Sequence, residues 1–176
     1  VLRLVGSEMC IRDRDKVGDG AGVFKSNDRG NSWTQINNGL DSLETNILTV
    51  DPNDSETLYL GTDDDGVYKS TDGGESWKKL TVSSLSKSFG VGDIIVDPQN
   101  SNNIYIGTVD YFRLSESRGV LGDFGVYKST DGGATWEEFN VGLNHLGVFS
   151  LELSEENRIL YAGTRAGGVY WISLDN

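Results

Sequence analysis

The stretch GVYKSTDGGESW, residues 66–77, decides the fold of this chain, because it is one of three closely similar copies of the same motif. One copy is GVFKSNDRGNSW at residues 22–33, and another is GVYKSTDGGATW at residues 125–136. GVYWISLDN at residues 168–176 is a degenerate fourth copy. Internal similarity at a regular spacing is the signature of a protein assembled from one recurring unit. The chain is therefore predicted to be a repeat protein.

A second repeated block lies upstream of each copy. LTVDPNDSETLYLGT at residues 48–62 matches IIVDPQNSNNIYIGT at residues 94–108 and LELSEENRILYAGT at residues 151–164. Gly61 and Gly107 of the first two blocks are 46 positions apart. A period in the mid-forties is the size of one blade of a β-propeller, a ring of four-stranded sheets.

Each unit contains four short segments with strand character, such as ILTVD, TLYLGT, GVYKS and SWKKL. They are rich in β-branched and aromatic residues, and turn residues separate them. We therefore predict an all-β fold, a β-propeller fragment of about three to four blades of four-stranded antiparallel sheet. The predicted blades span residues 22–40 (partial), 45–81, 91–140 and 147–174 (partial).

The turn within each repeat reads Ser-x-Asp-x-Gly-x-Ser/Thr-Trp. An Asp carboxylate can accept hydrogen bonds from the backbone of its own turn, and Gly adopts conformations closed to other residues. The Trp can bury its ring beneath the turn or against the next blade. A structural role is therefore expected for all three sets: Ser26, Asp28, Gly30 and Trp33; Ser70, Asp72, Gly74 and Trp77; Ser129, Asp131, Gly133 and Trp136.

With these turns, residues 18–172 resemble the Asp-box β-propellers, also called bacterial neuraminidase repeats. Sialidases, xyloglucan hydrolases, sortilin-type receptors and photosystem II assembly-factor propellers share these boxes. The resemblance implies that the boxes are scaffold rather than catalytic groups. Residues 22–40 supply only two strands of a blade and residues 147–174 only three, which predicts that residues 15–176 are the C-terminal part of a larger propeller. The missing N-terminal blades of the parent protein are then expected to be a partner of this part.

Composition limits the partners of the chain. Its 176 residues carry 15 Lys and Arg against 27 Asp and Glu, a net charge of −12, which argues against nucleic acid and anionic membranes. No apolar run reaches the roughly 18 residues of a membrane span. With one Cys and one His, neither a disulfide framework nor a zinc site is expected. We predict no cofactor and no metal.

The first residues have a composition of their own. EMCIRDR, residues 8–14, resembles the in-frame translation of a transposon-type sequencing adapter and contains the only Met and the only Cys of the chain. Residues 1–14 are therefore predicted to be a non-native segment. The alternative is an ordinary N-terminal strand, VLRLV, followed by a loop.

The candidate binding residues lie at one end of the predicted blades, opposite the Asp boxes. Asp63, Asp64 and Asp65 are candidate acid/base groups or metal ligands, and the alternative is a solvated acidic turn. The insertion at 109–123 adds an aromatic and basic patch on which a sugar ring could stack, and the alternative is a loop packed on its own blade. The other candidate binding residues are Tyr111, Phe112, Arg113, Arg118 and Arg165.

Two functions compete. The first is a non-catalytic propeller that binds a protein or a carbohydrate ligand on the end opposite the Asp boxes, because this fold by itself implies no activity. The second is the C-terminal part of a sialidase- or xyloglucanase-like glycoside hydrolase whose catalytic residues lie mostly elsewhere. Three Arg residues suit a sialidase, but Arg113 and Arg118 share one loop, whereas sialidase arginines come from different blades. An extracellular or cell-surface location in a bacterium is expected.

Overall fold

The computed structural model describes residues 20–83, 85, 89–110, 123–165 and 167–175, and all regular structure in these ranges is β-strand. The first strands are β1 (Phe24–Lys25), β2 (Thr34–Gln35), β3 (Thr45–Asp51), β4 (Asp54–Thr62), β5 (Val67–Ser70) and β6 (Lys78–Lys79). The next are β7 (Gly90–Val96), β8 (Ile104–Val109), β9 (Val126–Ser129) and β10 (Glu137–Glu138). The last are β11 (Val148–Ser154), β12 (Ile159–Thr164) and β13 (Gly168–Ser173).

The strands form antiparallel sheets in which sequence neighbours are also spatial neighbours. The orders over the described residues are β1-β2, β3-β4-β5-β6, β7-β8-β9-β10 and β11-β12-β13, here called the first to fourth sheets. The same register recurs in each unit, since Gly61 pairs with Val67, Gly107 with Val126 and Gly163 with Val169. The predicted all-β class of four-stranded antiparallel sheets is confirmed.

The last strands of the first three sheets, here called the outer strands (β2, β6 and β10), are shorter than their sequences predict. SWKKL, residues 76–80, contributes only Lys78–Lys79 to β6, although five residues have strand character. The reason is Trp77, whose side chain is 5% exposed and whose indole N–H donates to the carbonyl of Ile36 in the preceding connection, at 2.7 Å. The backbone N–H of Trp77 also donates to the carbonyl of Asn38 in that connection, at 2.8 Å, so this residue bonds outside its own sheet.

The first strands of the second, third and fourth sheets, here called the inner strands (β3, β7 and β11), share an irregularity near their first residues. In each, one residue is skipped by the register with the second strand, which is the pattern of a β-bulge. The skipped residues are Asn46, Gly92 and Phe149. A bulge redirects a side chain, and bulges are frequent next to functional sites. Unlike their neighbours in the inner strands, these three residues therefore have no partner in the register with the second strand of their sheet.

The core lies between consecutive sheets. Tyr59 and Val67 of the second sheet pack with Ile94, Ile106 and other residues of the third, and all four are at most 1% exposed. Similar clusters join the first sheet to the second and the third to the fourth. Since each pair of consecutive sheets buries apolar side chains between them, the four sheets form a continuous row.

Polar contacts also link the inner strands of neighbouring sheets. The Thr49 hydroxyl of β3 donates to the carbonyl of Ile94 in β7, at 2.9 Å. The Asp93 carboxylate of β7 accepts from the backbone N–H of Leu151 in β11, at 2.8 Å, and from that of Ile94. Burial raises the pKa of Asp93, and these N–H donors counteract part of that effect. The row of sheets is thus joined along its inner edge.

Candidate functional site

The order of the strands separates the connections into two ends of the row. One end, here the Asp-turn end, carries the turns at residues 26–33, 70–77 and 129–136 together with the connections between the first two strands of each sheet. The other, here the insertion end, carries the connections from β4 to β5, β8 to β9 and β12 to β13, with the linkers between sheets. The two ends have different chemistry.

At the Asp-turn end, the Asp carboxylate of each repeated turn accepts several hydrogen bonds from residues of the same turn. The Asp72 carboxylate accepts from the hydroxyls of Ser76 and Ser70, at 2.5 and 2.7 Å, and from the N–H of Ser76. The Ser70 hydroxyl oxygen also accepts from the N–H of Gly74, at 2.9 Å. Hydrogen bonds, first from Ser76, lower the pKa of Asp72 to about 2. Asp28 and Asp131 have the same contacts and the same pKa.

These contacts predict unequal effects for equivalent substitutions. Ser70 is 1% exposed, so Ser70→Ala leaves the N–H of Gly74 without a partner and without water. We expect a loss of about 1–3 kcal/mol in the free energy of unfolding, measured by urea denaturation. Ser26→Ala is the matched control in a more exposed turn, where water can replace the hydroxyl, and its loss should be smaller. Equal losses would contradict this role of burial.

At the insertion end, the three consecutive acidic residues have structural contacts. The Asp65 carboxylate accepts from the Tyr68 hydroxyl and forms an ion pair with Lys79. Asp64 accepts from the Ser42 hydroxyl at 3.0 Å, and the Asp63 N–H donates to the carbonyl of residue 44 at 2.8 Å. Burial, together with the hydrogen bond to Asp65, raises the pKa of Tyr68. Asp65 thus anchors the loop to its own sheet.

The insertion is closed at its base by a short hydrogen-bond network. The Asp110 N–H donates to the Asp123 carboxylate at 2.8 Å, and the N–H of Phe124 donates to the Thr108 hydroxyl at 3.0 Å. Asp110 is 6% exposed. Four of the predicted binding residues lie within this insertion and outside the described residues: Tyr111, Phe112, Arg113 and Arg118.

Arg165 lies beside this base, and although the residue is exposed, its guanidinium has contacts within the protein. Its Nη2 donates to the carbonyl oxygen of Asp110, and its backbone N–H donates to the carbonyl of Gly147 at 2.8 Å. Its guanidinium carbon lies 5.2 Å from the centre of the Phe149 ring, a cation–π distance. The residue therefore ties the third sheet to the fourth and covers an aromatic ring.

Phe149 is the residue that the sequence interpretation missed. It is the bulged residue of β11, and its side chain is 39% exposed, whereas the strand residues Tyr59, Tyr68, Tyr105 and Tyr127 are buried. Asn46 and Gly92 hold the same position in β3 and β7. The sequence does contain a signal for Phe149, since this repeat has a large aromatic residue at a position that the other two repeats fill with Asn and Gly.

The candidate site, here called the mouth site, consists of Phe149, Arg165, Asp110 and Asp123.

The described residues contain no group of three or more His, Cys, Asp or Glu arranged to hold a metal ion. Nor do they contain a helix of the length and apolar character that a membrane span requires. The mouth site itself combines an aromatic face with carboxylates and hydrogen-bonding backbone groups. Such a combination suits a polar ligand that also has an apolar face.

Comparisons with known proteins agree with the architecture. The chain is 36% identical to the xyloglucanase Xgh74A of Acetivibrio thermocellus over 96 residues, which is 49% of this chain and 11% of that protein. Among solved structures, it superposes on an ancestral GH74 enzyme with a TM-score of 0.69 and 25% identity, covering 88% of this chain and 20% of that one.

A second solved structure, the GH74 enzyme of Niastella koreensis, gives a TM-score of 0.61 and 26% identity over 86% of this chain and 24% of that one. The chain thus spans only about a tenth of the curated relative and a fifth to a quarter of these structures. Together they support the propeller-fragment fold predicted from the repeats. The sequence model of the Sortilin-Vps10 family, described as sortilin, neurotensin receptor 3, matches residues 21–170, and the chain belongs to that family.

Proposed function

We propose that this chain is the glycan-binding part of a longer glycoside hydrolase that acts on a xyloglucan-type polysaccharide. The observation that carries this proposal is the exposed Phe149 ring at the mouth site, with Arg165 on it and Asp110 and Asp123 beside it. The C–H face of a pyranose ring packs on an aromatic face, while carboxylates and backbone groups bond its hydroxyls. The similarity to a xyloglucanase supports the substrate class.

The contacts at the insertion end favour binding over catalysis for this part of the chain. Asp65 is occupied by Tyr68 and Lys79, and the Asp123 carboxylate accepts the N–H that closes the insertion. A glycosidase needs one protonated carboxyl group and one ionised carboxylate that are both able to reach the sugar. We therefore assign catalysis to residues elsewhere in the longer protein. The second candidate is a non-catalytic module that binds a protein or glycan, and the occupied carboxylates are equally compatible with it.

Several further assignments belong to this proposal. The three Asp turns are Asp boxes, and the sheets are blades bounded near residues 22–40, 45–81, 91–140 and 147–174 of a larger propeller. Residues 1–14 are an adapter-derived segment outside the described residues. The protein acts outside the cell, because a polysaccharide substrate is too large to cross a membrane. A binding role for Tyr111, Phe112, Arg113 and Arg118, which lie outside the described residues, also belongs to this proposal.

A calorimetric titration with xyloglucan oligosaccharides tests the mouth site. Phe149→Ala should weaken binding about tenfold, since one aromatic stacking contact contributes on the order of 1–1.5 kcal/mol. The matched control is Val141→Ala, which removes an 89% exposed side chain from a linker at the same end and should leave affinity unchanged. A sialylated oligosaccharide should not bind, because the chain carries a net charge of −12.

Two results would contradict the proposal. If the wild-type chain binds no neutral oligosaccharide, the mouth site is not a glycan site. If Phe149→Ala binds as tightly as wild type while remaining folded, the sugar lies elsewhere on the chain. Far-ultraviolet circular dichroism and the thermal midpoint establish that each variant is folded.

A further inference from the structure

His145 is the single His of the chain, and it lies at the insertion end, in the linker between the third and fourth sheets. This linker has a described sheet on each side, so it does not belong to either end of the row. The side chain is exposed, and its Nδ1 lies 3.4 Å from the hydroxyl of Tyr170. Among the described residues, its Nε2 has no hydrogen-bond partner. That nitrogen is therefore open to a ligand.

The imidazole packs on a glycine in the turn between β12 and β13. A Cβ atom on Gly167 would lie 2.6 Å from Cγ and 2.7 Å from Nδ1 of His145. The turn has hydrogen bonds of its own, since the Gly167 N–H donates to the Thr164 hydroxyl at 3.1 Å and that hydroxyl donates to the carbonyl of Gly168 at 3.0 Å. The ring of His145 therefore occupies space that any larger residue at position 167 would fill.

The corresponding residues of the second sheet have a different chemistry. Tyr68 occupies the repeat position of Tyr170 in the register of the strands. Asp65 occupies the repeat position of Gly167, two residues before the first paired residue of the same strand. The Asp65 carboxylate accepts from the Tyr68 hydroxyl. In the fourth sheet the carboxylate is absent from this position, and the imidazole of His145 lies beside the Tyr170 hydroxyl instead.

The charge of this surface changes in the same way between the two sheets. In the second sheet, the N–H of Asp63 donates to the carbonyl of Glu44, at 2.8 Å. The equivalent hydrogen bond of the fourth sheet joins Arg165 to Gly147, also at 2.8 Å. Two acidic residues are thus replaced by Arg and Gly, in a chain with a net charge of −12. The guanidinium and the imidazole of His145 supply N–H donors, which suit a ligand rich in hydroxyl and ether oxygens.

The same two chain segments hold the imidazole and the mouth site. His145 and Phe149 are four positions apart at the start of the fourth sheet, and Arg165 and Gly167 belong to one turn. A fully extended chain spans at most 3.6 Å per residue, so the Cα atoms of His145 and Phe149 lie within roughly 14 Å of one another. A short oligosaccharide can span that distance and contact both side chains.

We infer that His145 is a second sugar-binding residue beside the mouth site and that Gly167 positions it. The inference rests on the proposed glycan-binding function and extends the ligand from Phe149 along the fourth sheet. When the Tyr170 hydroxyl donates to Nδ1 of a neutral imidazole, the proton of the ring is on Nε2. The Nε2–H group then donates to a ring or hydroxyl oxygen of the sugar. The ligand is therefore a neutral oligosaccharide that contacts Phe149 and His145 together.

Nuclear magnetic resonance of the imidazole tests the contact directly, because the chain has one His. The full chain is prepared without a polyhistidine tag and titrated with a xyloglucan heptasaccharide at constant pH. The Nε2 and Cε1–H signals of His145 should shift in parallel with the saturation measured by calorimetry. In Phe149→Ala the same shift should require about ten times more ligand, since both side chains bind one molecule.

Calorimetric titration of four variants tests the role of the imidazole. His145→Ala should weaken binding about three- to tenfold, the loss expected for one hydrogen bond. Gly167→Ala should weaken it to a similar extent although it retains His145, because the added methyl group displaces the ring. His145→Gln retains an N–H donor and should bind more tightly than His145→Ala. Ser42→Ala is the matched control at the equivalent position of the linker between the first and second sheets, and it should bind as wild type does.

The outcomes distinguish this inference from the proposed function. If Phe149→Ala weakens binding while the His145 signals stay unchanged and His145→Ala binds as wild type does, the inference is wrong and the mouth site stands. If the heptasaccharide does not bind at all, both are wrong. If folded Gly167→Ala binds as wild type does while His145→Ala does not, Gly167 is not a positioning residue. Circular dichroism and the thermal midpoint establish that each variant is folded.

Discussion

Replacing Arg158 with alanine should lower the free energy of unfolding by about 3–5 kcal/mol, because it leaves a buried carboxylate without its partner. Arg158, in the connection from β11 to β12, donates from Nη1 and Nη2 to the two carboxylate oxygens of Asp97, at 2.9 and 2.6 Å. The Asp97 side chain is 0% exposed and the Arg158 side chain 14%. This bidentate pair joins the third sheet to the fourth. Urea denaturation with a two-state fit measures the loss.

The control is a second ion pair between a carboxylate and a cationic side chain, which is exposed to solvent. Glu75 pairs with Lys25 across two sheets at 3.1 Å, but its side chain is 67% exposed. Glu75→Ala should cost no more than about 1 kcal/mol, since solvent screens exposed pairs. A loss in Arg158→Ala as small as that of Glu75→Ala would mean that Asp97 finds other partners.

The effect of Arg158→Ala should also depend on pH. Burial alone would raise the pKa of Asp97, but hydrogen bonds from Arg158, Gln99 and Asn103 outweigh it and lower the pKa. The stabilising contribution of Asp97 is therefore fully present above its ordinary pKa of about 4 and is lost as pH falls through the lowered value. The difference between Arg158→Ala and wild type should accordingly be largest near neutral pH and shrink below pH ~4.

Gly92→Ala should cost about 3 kcal/mol, at the upper end of what overpacking usually costs. A Cβ atom at Gly92 would lie 2.2 Å from the carbonyl oxygen of Val148 and 2.9 Å from the Cα of Phe149. Both are backbone atoms of the next inner strand, so no side-chain rotation can relieve the overlap. The strands β7 and β11 would have to separate at the insertion end. The same substitution should weaken oligosaccharide binding, because it displaces Phe149.

Gly142→Ala is the matched control for Gly92→Ala. Its added Cβ would meet no atom within 4 Å, but its φ of 78° is one that L-residues adopt with difficulty. It should therefore cost only about 1–2 kcal/mol, from backbone strain alone, and leave binding unchanged. Thermal and urea denaturation of the two variants, with calorimetric titration, give the comparison. Equal stability losses and equal binding would show that the inner strands separate without penalty.

The fold was predictable because its signals are local. The order of strands follows from alternating β-branched and aromatic residues, and each Asp turn is specified by side chains within eight consecutive positions that bond one another. The hydroxyls of Ser70 and Ser76 on Asp72 are an example, since no distant residue takes part. The short outer strands were not predictable, because burial of Trp77 on the preceding sheet overrides its local strand character.

The candidate site was predicted less well, because its contacts join residues far apart in the chain. Asp65 was a candidate from its neighbours Asp63 and Asp64, but it is anchored by Lys79, which β6 brings beside it. Arg165 was a candidate binding residue, and its contacts with Asp110 of the preceding sheet and with the Phe149 ring could not be read from the sequence. Its binding role stays a prediction. The roles predicted for Tyr111, Phe112, Arg113 and Arg118 stay predictions.

The sequence by itself determined the repeating unit, the all-β class and the chemistry of the Asp turns, because these depend on period, residue type and short-range hydrogen bonds. Tertiary structure alone decided which side chains are available at the mouth site. It placed Phe149 on a bulge, put Arg165 over its ring and joined Arg158 to Asp97 across 61 positions of sequence. The physical reason is that burial and pairing between sheets depend on packing that no single repeat contains.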